Sequence, residues 1–272
     1  MSGPVLSVIL AFLGYSVMNI AQAGQKIGLA RKEEKPAKGW ALWVFATLMT
    51  SVAFFIVLGA IALGSVSIVG AMAGTGLASL AVFSHFVLKD RIDLRELIAI
   101  IVVIGGAALV GIFVTDRTSG ETRITLLWSI LGGGTVLYTI AWIASRKAAF
   151  AGALIGSFGG FLGAYSQLFQ KHVIAEVSIL DGVVTFARYL VTNPVTIVWI
   201  GLSIASMIVL QFSYKHARAI EIIPAFTGTF IAVPVIGGVL IFGETLLPIQ
   251  WVGVVLIAAG AVVLGRGSGS SD

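Results

Sequence analysis

Two short polar groups interrupt long apolar runs at matching places. The first is Gln22, Gln25 and Lys26, with Asn19 one turn earlier; the second is Gln167, Gln170 and Lys171. Residues three or four apart share a helix face, so each group would present amides and an ammonium along one stripe. Amides donate and accept hydrogen bonds without net charge, and lysine adds three donors and a positive charge. Inside hydrocarbon such side chains are costly, and they face a partner or a wet cavity. The chemistry on offer is recognition of a polar solute, not bond-making. The competing reading is glue between helices, worth about 0.6 kcal/mol per hydrogen bond on average in a membrane. Aligning the two lysines also aligns Gly14 with Gly159.

Other candidates follow the same logic. Gln211 and Tyr214 end the seventh apolar run, Thr229 lies in the eighth between Pro224 and Pro234, and Thr75 occupies the aligned place in the third. Prolines inside a span free backbone carbonyls, and broken helices of this kind line binding sites; a simple kink is the plainer alternative. The candidate substrate-binding set is therefore Asn19, Gln22, Gln25, Thr75, Gln167, Gln170, Gln211, Tyr214 and Thr229. Lys26, Lys171 and Glu221 are candidates for gating or coupling, although both lysines are expected to snorkel to opposite faces. Glu221 is the deepest carboxylate and is expected to pair with Arg218 or Lys215. No acidic residue falls in the middle of a run, so no metal-ligand set is identifiable, and no cofactor is implied.

The elements that must carry these residues are membrane helices. Of 272 residues 58% are hydrophobic and 11% charged, against roughly 25% charged in a soluble domain. The apolar runs recur at about the 20 residues a membrane helix needs. The absence of cysteine excludes disulfides and thiolate chemistry. No His-Glu-x-x-His, intramembrane aspartate pair, Gly-x-Ser-x-Gly turn or nucleotide-binding loop is present, so an enzyme is not expected. The basic balance, 17 Lys+Arg against 12 Asp+Glu, reads as orientation signal in loops, not as nucleic-acid binding.

Nine runs are legible. They begin near Pro4, Trp40, Val66, Glu96, Ile124, Ala148, Pro194, Arg218 and Leu247, with the third running uninterrupted to Leu88. The first lacks the basic n-region of a signal peptide and is read as a span. Gly152, Gly156 and Gly160 in the sixth, four apart, let a neighbouring backbone approach closely. Asp181–Thr192 reads as a short helix on the membrane surface. The Gly/Ser-rich segment 266–272 reads as a disordered tail. Most basic residues lie on the side of the first loop, which holds Arg31, Lys32, Lys35 and Lys38; this places the N-terminus outside and the C-terminus in the cytoplasm.

A constant offset of 154 lays Ile68–Gly111 over Ile222–Gly265, with Gly74/Gly228, Thr75/Thr229 and Gly106/Gly260 coinciding. The order of elements then matches: runs 1–4 correspond to runs 6–9, and the odd fifth run between them inverts the second set. The expected architecture is all-α, a polytopic membrane protein with repeats at 1–115 and 148–265 joined by a connecting helix within 116–147.

At this point the chain resembles the drug/metabolite transporter superfamily, whose EamA-type members have two inverted halves, and within it the NIPA family, described as magnesium transporters. The resemblance rests on Gln25-Lys26-Ile27-Gly28-Leu29, the run Ser67–Leu88 with its Lys89-Asp90 turn, and Gly156-Ser157-Phe158. It also rests on Asn193-Pro194-Val195-Thr196 through Gln211, Tyr214, Lys215 and Ala217. Ala53 and Ile56 fall where eukaryotic members of that family have a glutamate and an asparagine. The resemblance implies alternating access and magnesium as substrate. The site residues, amides and hydroxyls without a central acid, point instead to a neutral or amphipathic organic metabolite. A structural membrane protein is the third reading. The implied partners are the lipid bilayer of a plasma or inner membrane and a small-molecule or ion substrate, with a homodimer left open. Gln25→Ala and Gln170→Ala are both expected to impair transport.

Overall fold

The computed structural model describes residues 3–31, 35–88, 93–113, 122–145, 151–177, 183–213 and 219–267. These form helices α1 (Gly3–Arg31), α2 (Pro36–Leu63), α3 (Val66–Ala71), α4 (Ala73–Phe83, continued by a π-helical turn over Ser84–Leu88), α5 (Leu94–Ile112) and α6 (Ile124–Ser145). They continue with α7 (Ala151–Glu176), α8 (Val183–Thr192), α9 (Pro194–Ser213), α10 (Ala219–Phe242) and α11 (Pro248–Gly267). Among the described residues, six helical segments are long and apolar enough to cross a membrane, one of them formed by α3 and α4 together. Local chemistry sets several ends. Pro36, Pro194 and Pro248 stand at first helical positions, where the missing N–H costs nothing. Asp93 and Glu96 form a reciprocal capping box at the start of α5.

Three departures from the sequence reading are informative. The third run is divided between α3 and α4 at Met72, whose N–H still donates to Ile68 O at 3.1 Å but whose carbonyl accepts from Thr75, three residues on. The N–H and hydroxyl of Thr75 both donate to Met72 O, at 3.0 and 2.7 Å, which tightens the chain there. By contrast α10 runs through Pro224 and Pro234 as one helix, so the interruption lies in the segment without proline. And α11 continues to Gly267, two residues into the segment expected to be a disordered tail.

Packing is organised by small residues. α1 lies along α2 and α4, α7 along α9 and α10, α5 against α11, and α3 against α10. A Cβ placed on Gly106 of α5 would lie 2.7 Å from Gly253 O and 3.0 Å from Ile257 N. One on Gly260 of α11 would lie 2.9 Å from Ala99 O and 3.4 Å from Val103 N. Gly156 and Gly160 of α7 are likewise pressed on α10, where a Cβ would meet Ile222 O at 3.1 Å and Phe226 O at 2.3 Å. Gly152 is buried. Outward faces are apolar: Val136, Leu137, Ile140 and Ile143 of α6 are all exposed, a surface that suits hydrocarbon and not water. α8 carries exposed Val184 and Val191, and its Tyr189 hydroxyl donates to Glu176 at the end of α7.

Candidate binding site

The face of α7 that carries Gln167, Gln170 and Lys171 turns inward, toward the first half of the chain. The Tyr15 hydroxyl of α1 donates to Gln167 Oε1 at 3.1 Å. Gly70 of α3 leaves the room for this contact: a Cβ there would sit 2.4 Å from Pro234 Cβ and 3.6 Å from Gln167 Oε1. Four helices thus meet around one amide. Gln167 is 6% exposed and Gln170 3%, and among the described residues neither Nε2 has a hydrogen-bond partner. A buried, unsatisfied donor costs about 1–3 kcal/mol. Gln167 and Gln170, one turn apart, thus each keep an amide donor that no described residue satisfies.

One turn further along α7, Lys171 is held by backbone at the end of α2. Its Nζ donates to Ile61 O at 2.9 Å and Gly64 O at 2.5 Å, at the end of α2. A cation there also complements the helix dipole. Across the same turn lies Glu244, 2% exposed. Its Oε2 accepts from Ser65 Oγ (2.7 Å), Ser67 N (2.9 Å) and Ser67 Oγ (2.6 Å), and its Oε1 from Val66 N (2.8 Å). A carboxylate out of water needs such donors to remain charged. Gly243 delivers it: with φ 65 it ends α10 in the left-handed region glycine favours, and the chain turns back until Glu244 N donates to Gly238 O at 3.1 Å.

The other candidates are placed elsewhere. Asn19 packs at Gly76 of α4 and donates to Tyr15 O of its own helix at 2.9 Å. Gln22 is exposed. Gln25 donates to Thr50 Oγ1 of α2 at 3.0 Å. Thr75 is spent on Met72 O. Thr229 donates to Ala225 O and meets Ser157, which meets Tyr138, each at 2.7 Å. That hydroxyl chain adjoins a separate cavity of about 190 Å³ lined by Tyr138, Thr139, Trp142, Phe158 and Phe212 among others. Gln211 and Glu221 lie on α9 and α10 and Lys26 on α1, but their side chains fall outside the described residues, as does Tyr214 entirely. Among the described residues no group of three or more His, Cys, Asp or Glu could hold a metal ion.

Tyr15 and Glu244 are absent from the candidates drawn from sequence. Tyr15 lies within an apolar run, beside Ser16 and four residues before Asn19. Glu244 sits in the five-residue break between α10 and α11 and reads in the sequence as part of a turn; its one signal is a carboxylate in a break with no basic residue.

The chain is 33% identical over 109 residues to the "Probable magnesium transporter NIPA9" of Arabidopsis thaliana. The similarity covers 39% of this chain and 29% of that protein's length, so it reaches less than a third of the relative. No family model matches the chain, and no solved structure matches it.

Proposed function

We propose that the protein is a secondary membrane transporter of nine spans, built as inverted repeats at 1–115 and 148–265 around a connector within 116–147, and moving a small solute by alternating access. Glycine contacts support the repeat. The α5–α11 pairs Gly106 with Gly253 and Ile257, and Gly260 with Ala99 and Val103, interchange under the sequence offset of 154. A second pair agrees: a Cβ on Gly14 would meet Ala53 O at 3.3 Å and Val57 N at 3.2 Å on α2, and one on Gly159 would meet Ser206 O and Leu210 N at 3.4 Å on α9. The basic loops favour an outside N-terminus and a cytoplasmic C-terminus, in a plasma or inner membrane.

The observation that carries the substrate class is the pair of buried, unpartnered amide donors on Gln167 and Gln170. They would bind a carbonyl or similar acceptor on a neutral or amphipathic organic solute. A magnesium ion needs oxygen ligands and keeps several waters, whose outward hydrogens are donors and would oppose these N–H groups. Magnesium remains the second reading because the relative of known description is a probable magnesium transporter.

Flux into proteoliposomes separates the two. Vesicles holding the purified protein and an internal magnesium dye are expected to show no protein-dependent Mg²⁺ entry. Carbonyl-bearing solutes are expected to raise the unfolding temperature of the wild type more than that of Gln170→Ala. Mg²⁺ entry that falls in Gln170→Ala would reverse the choice of substrate. Neither entry nor stabilisation, from folded protein, would argue for a structural role.

A further inference from the structure

We infer that Lys171 and Glu244 form a lock that closes the bundle at the end carrying the α2–α3 turn, and that this end opens only when both release that turn. The inference rests on the two-part transporter reading and names a step in it. The turn, Ile61 to Ser67, belongs to the first half; both charged groups belong to the second. Lys171 holds the carbonyls of Ile61 and Gly64. Glu244 holds the N–H groups of Val66 and Ser67 and the hydroxyls of Ser65 and Ser67. All six hydrogen bonds are charge-assisted and so among the stronger kind. They grip one short stretch by both kinds of polar group, the cation on its acceptors and the anion on its donors.

Three features make this a latch and not a fixed staple. The bonds end on turn backbone and hydroxyls, which water can satisfy once the turn moves away. Lys171 and Glu244 hold consecutive residues of the turn, Gly64 and Ser65, with no direct ion pair between them among the described residues, so the released charges can become each other's partners. And Lys171 is one helical turn from Gln167 and adjacent to Gln170, so its release of the turn is a change beside the two amide donors. Two alternative arrangements with both charges satisfied are what a bistable element requires.

The protein has no cysteine, so one introduced thiol reports alone. Ala71, at the end of α3 beyond the turn, is 0% exposed, and Ala99, in the α5–α11 interface, is 3% exposed. The reaction of a water-soluble maleimide with Ala71→Cys, and separately with Ala99→Cys, is timed in vesicles, in the wild-type background and with Lys171→Met, Glu244→Gln or Lys171→Arg added. A lock predicts that Lys171→Met and Glu244→Gln speed labelling at Ala71→Cys by about tenfold or more, the factor that ~1.4 kcal/mol of population shift produces. Ala99→Cys should stay protected, and Lys171→Arg should leave both rates unchanged. If Glu244→Gln loosens the whole bundle, Lys171→Met decides. Labelling at Ala71→Cys that does not change in Lys171→Met overturns the inference. So does labelling that rises equally at both reporters, because the pair would then be holding the fold together. Labelling needs no solute, so a lock that opens in protein with no flux would remove the transport reading and not the lock.

Discussion

The two copies of Gln-x-x-Gln-Lys occupy aligned places and do different work. On α1, Gln22 is exposed and Gln25 is joined to Thr50 of the neighbouring α2. On α7, Gln167 and Gln170 are buried with donors to spare, and Lys171 reaches across to the other half of the chain. Local spacing is the same; surroundings are not. α1 lies at the edge of the bundle, with Val5, Leu6, Ile9, Phe12 and Leu13 exposed. α7 is enclosed by α9, α10 and the α2–α3 turn. The same polar spacing therefore meets different partners according to what covers it, and the proposed site rests on the α7 copy.

Where the halves agree, substitutions should act alike. Gly106→Leu and Gly260→Leu each force a side chain into backbone nearer than 3.0 Å, and each should destabilise by about 3 kcal/mol or more. Thermal unfolding in detergent measures both, and a large inequality would break the reciprocal packing. Where the halves differ, substitutions should diverge. Gln170→Ala should lower solute flux by about tenfold, the loss of ~1.4 kcal/mol of binding, while Gln22→Ala leaves it unchanged; equal losses would restore a symmetric site. Smaller effects follow from single hydrogen bonds. Tyr15→Phe and Gln25→Ala should each cost about 0.6 kcal/mol of stability, with flux altered only by Tyr15→Phe, as paired unfolding and uptake measurements on the two variants would reveal. That expectation for Gln25 is narrower than the one its sequence position alone suggests.

The helices were legible because hydropathy, proline and glycine act locally. Most apolar runs begin within a few residues of a helix start, and of the glycines spaced by four in α7, Gly156 and Gly160 meet α10 at Ile222 and Phe226. The site was only half legible. Gln167 and Gln170 stand out as amides in an apolar run, but that they are buried while Gln22 is exposed depends on tertiary packing. The break at Met72 was illegible for a related reason: glycines at 70, 74 and 76 permit it, and a threonine hydroxyl completes it, with no proline to mark it. Glu244 was missed because its partners lie 177 to 179 residues away, where no local pattern reaches.

The α5–α11 contact has one more consequence. Position 106 meets 253 and 257 while 260 meets 99 and 103, so the surface is complementary to itself, as in an isologous dimer interface. Such a surface does not require its two sides to belong to one polypeptide. If the proposed repeats at 1–115 and 148–265 are real, pieces produced separately by cutting within 116–147 should still recognise each other once both are in the bilayer, which co-purification of the two pieces would test. In the proposed inverted-repeat architecture, setting the opposite senses of the two pieces would be the task of the linking helix α6.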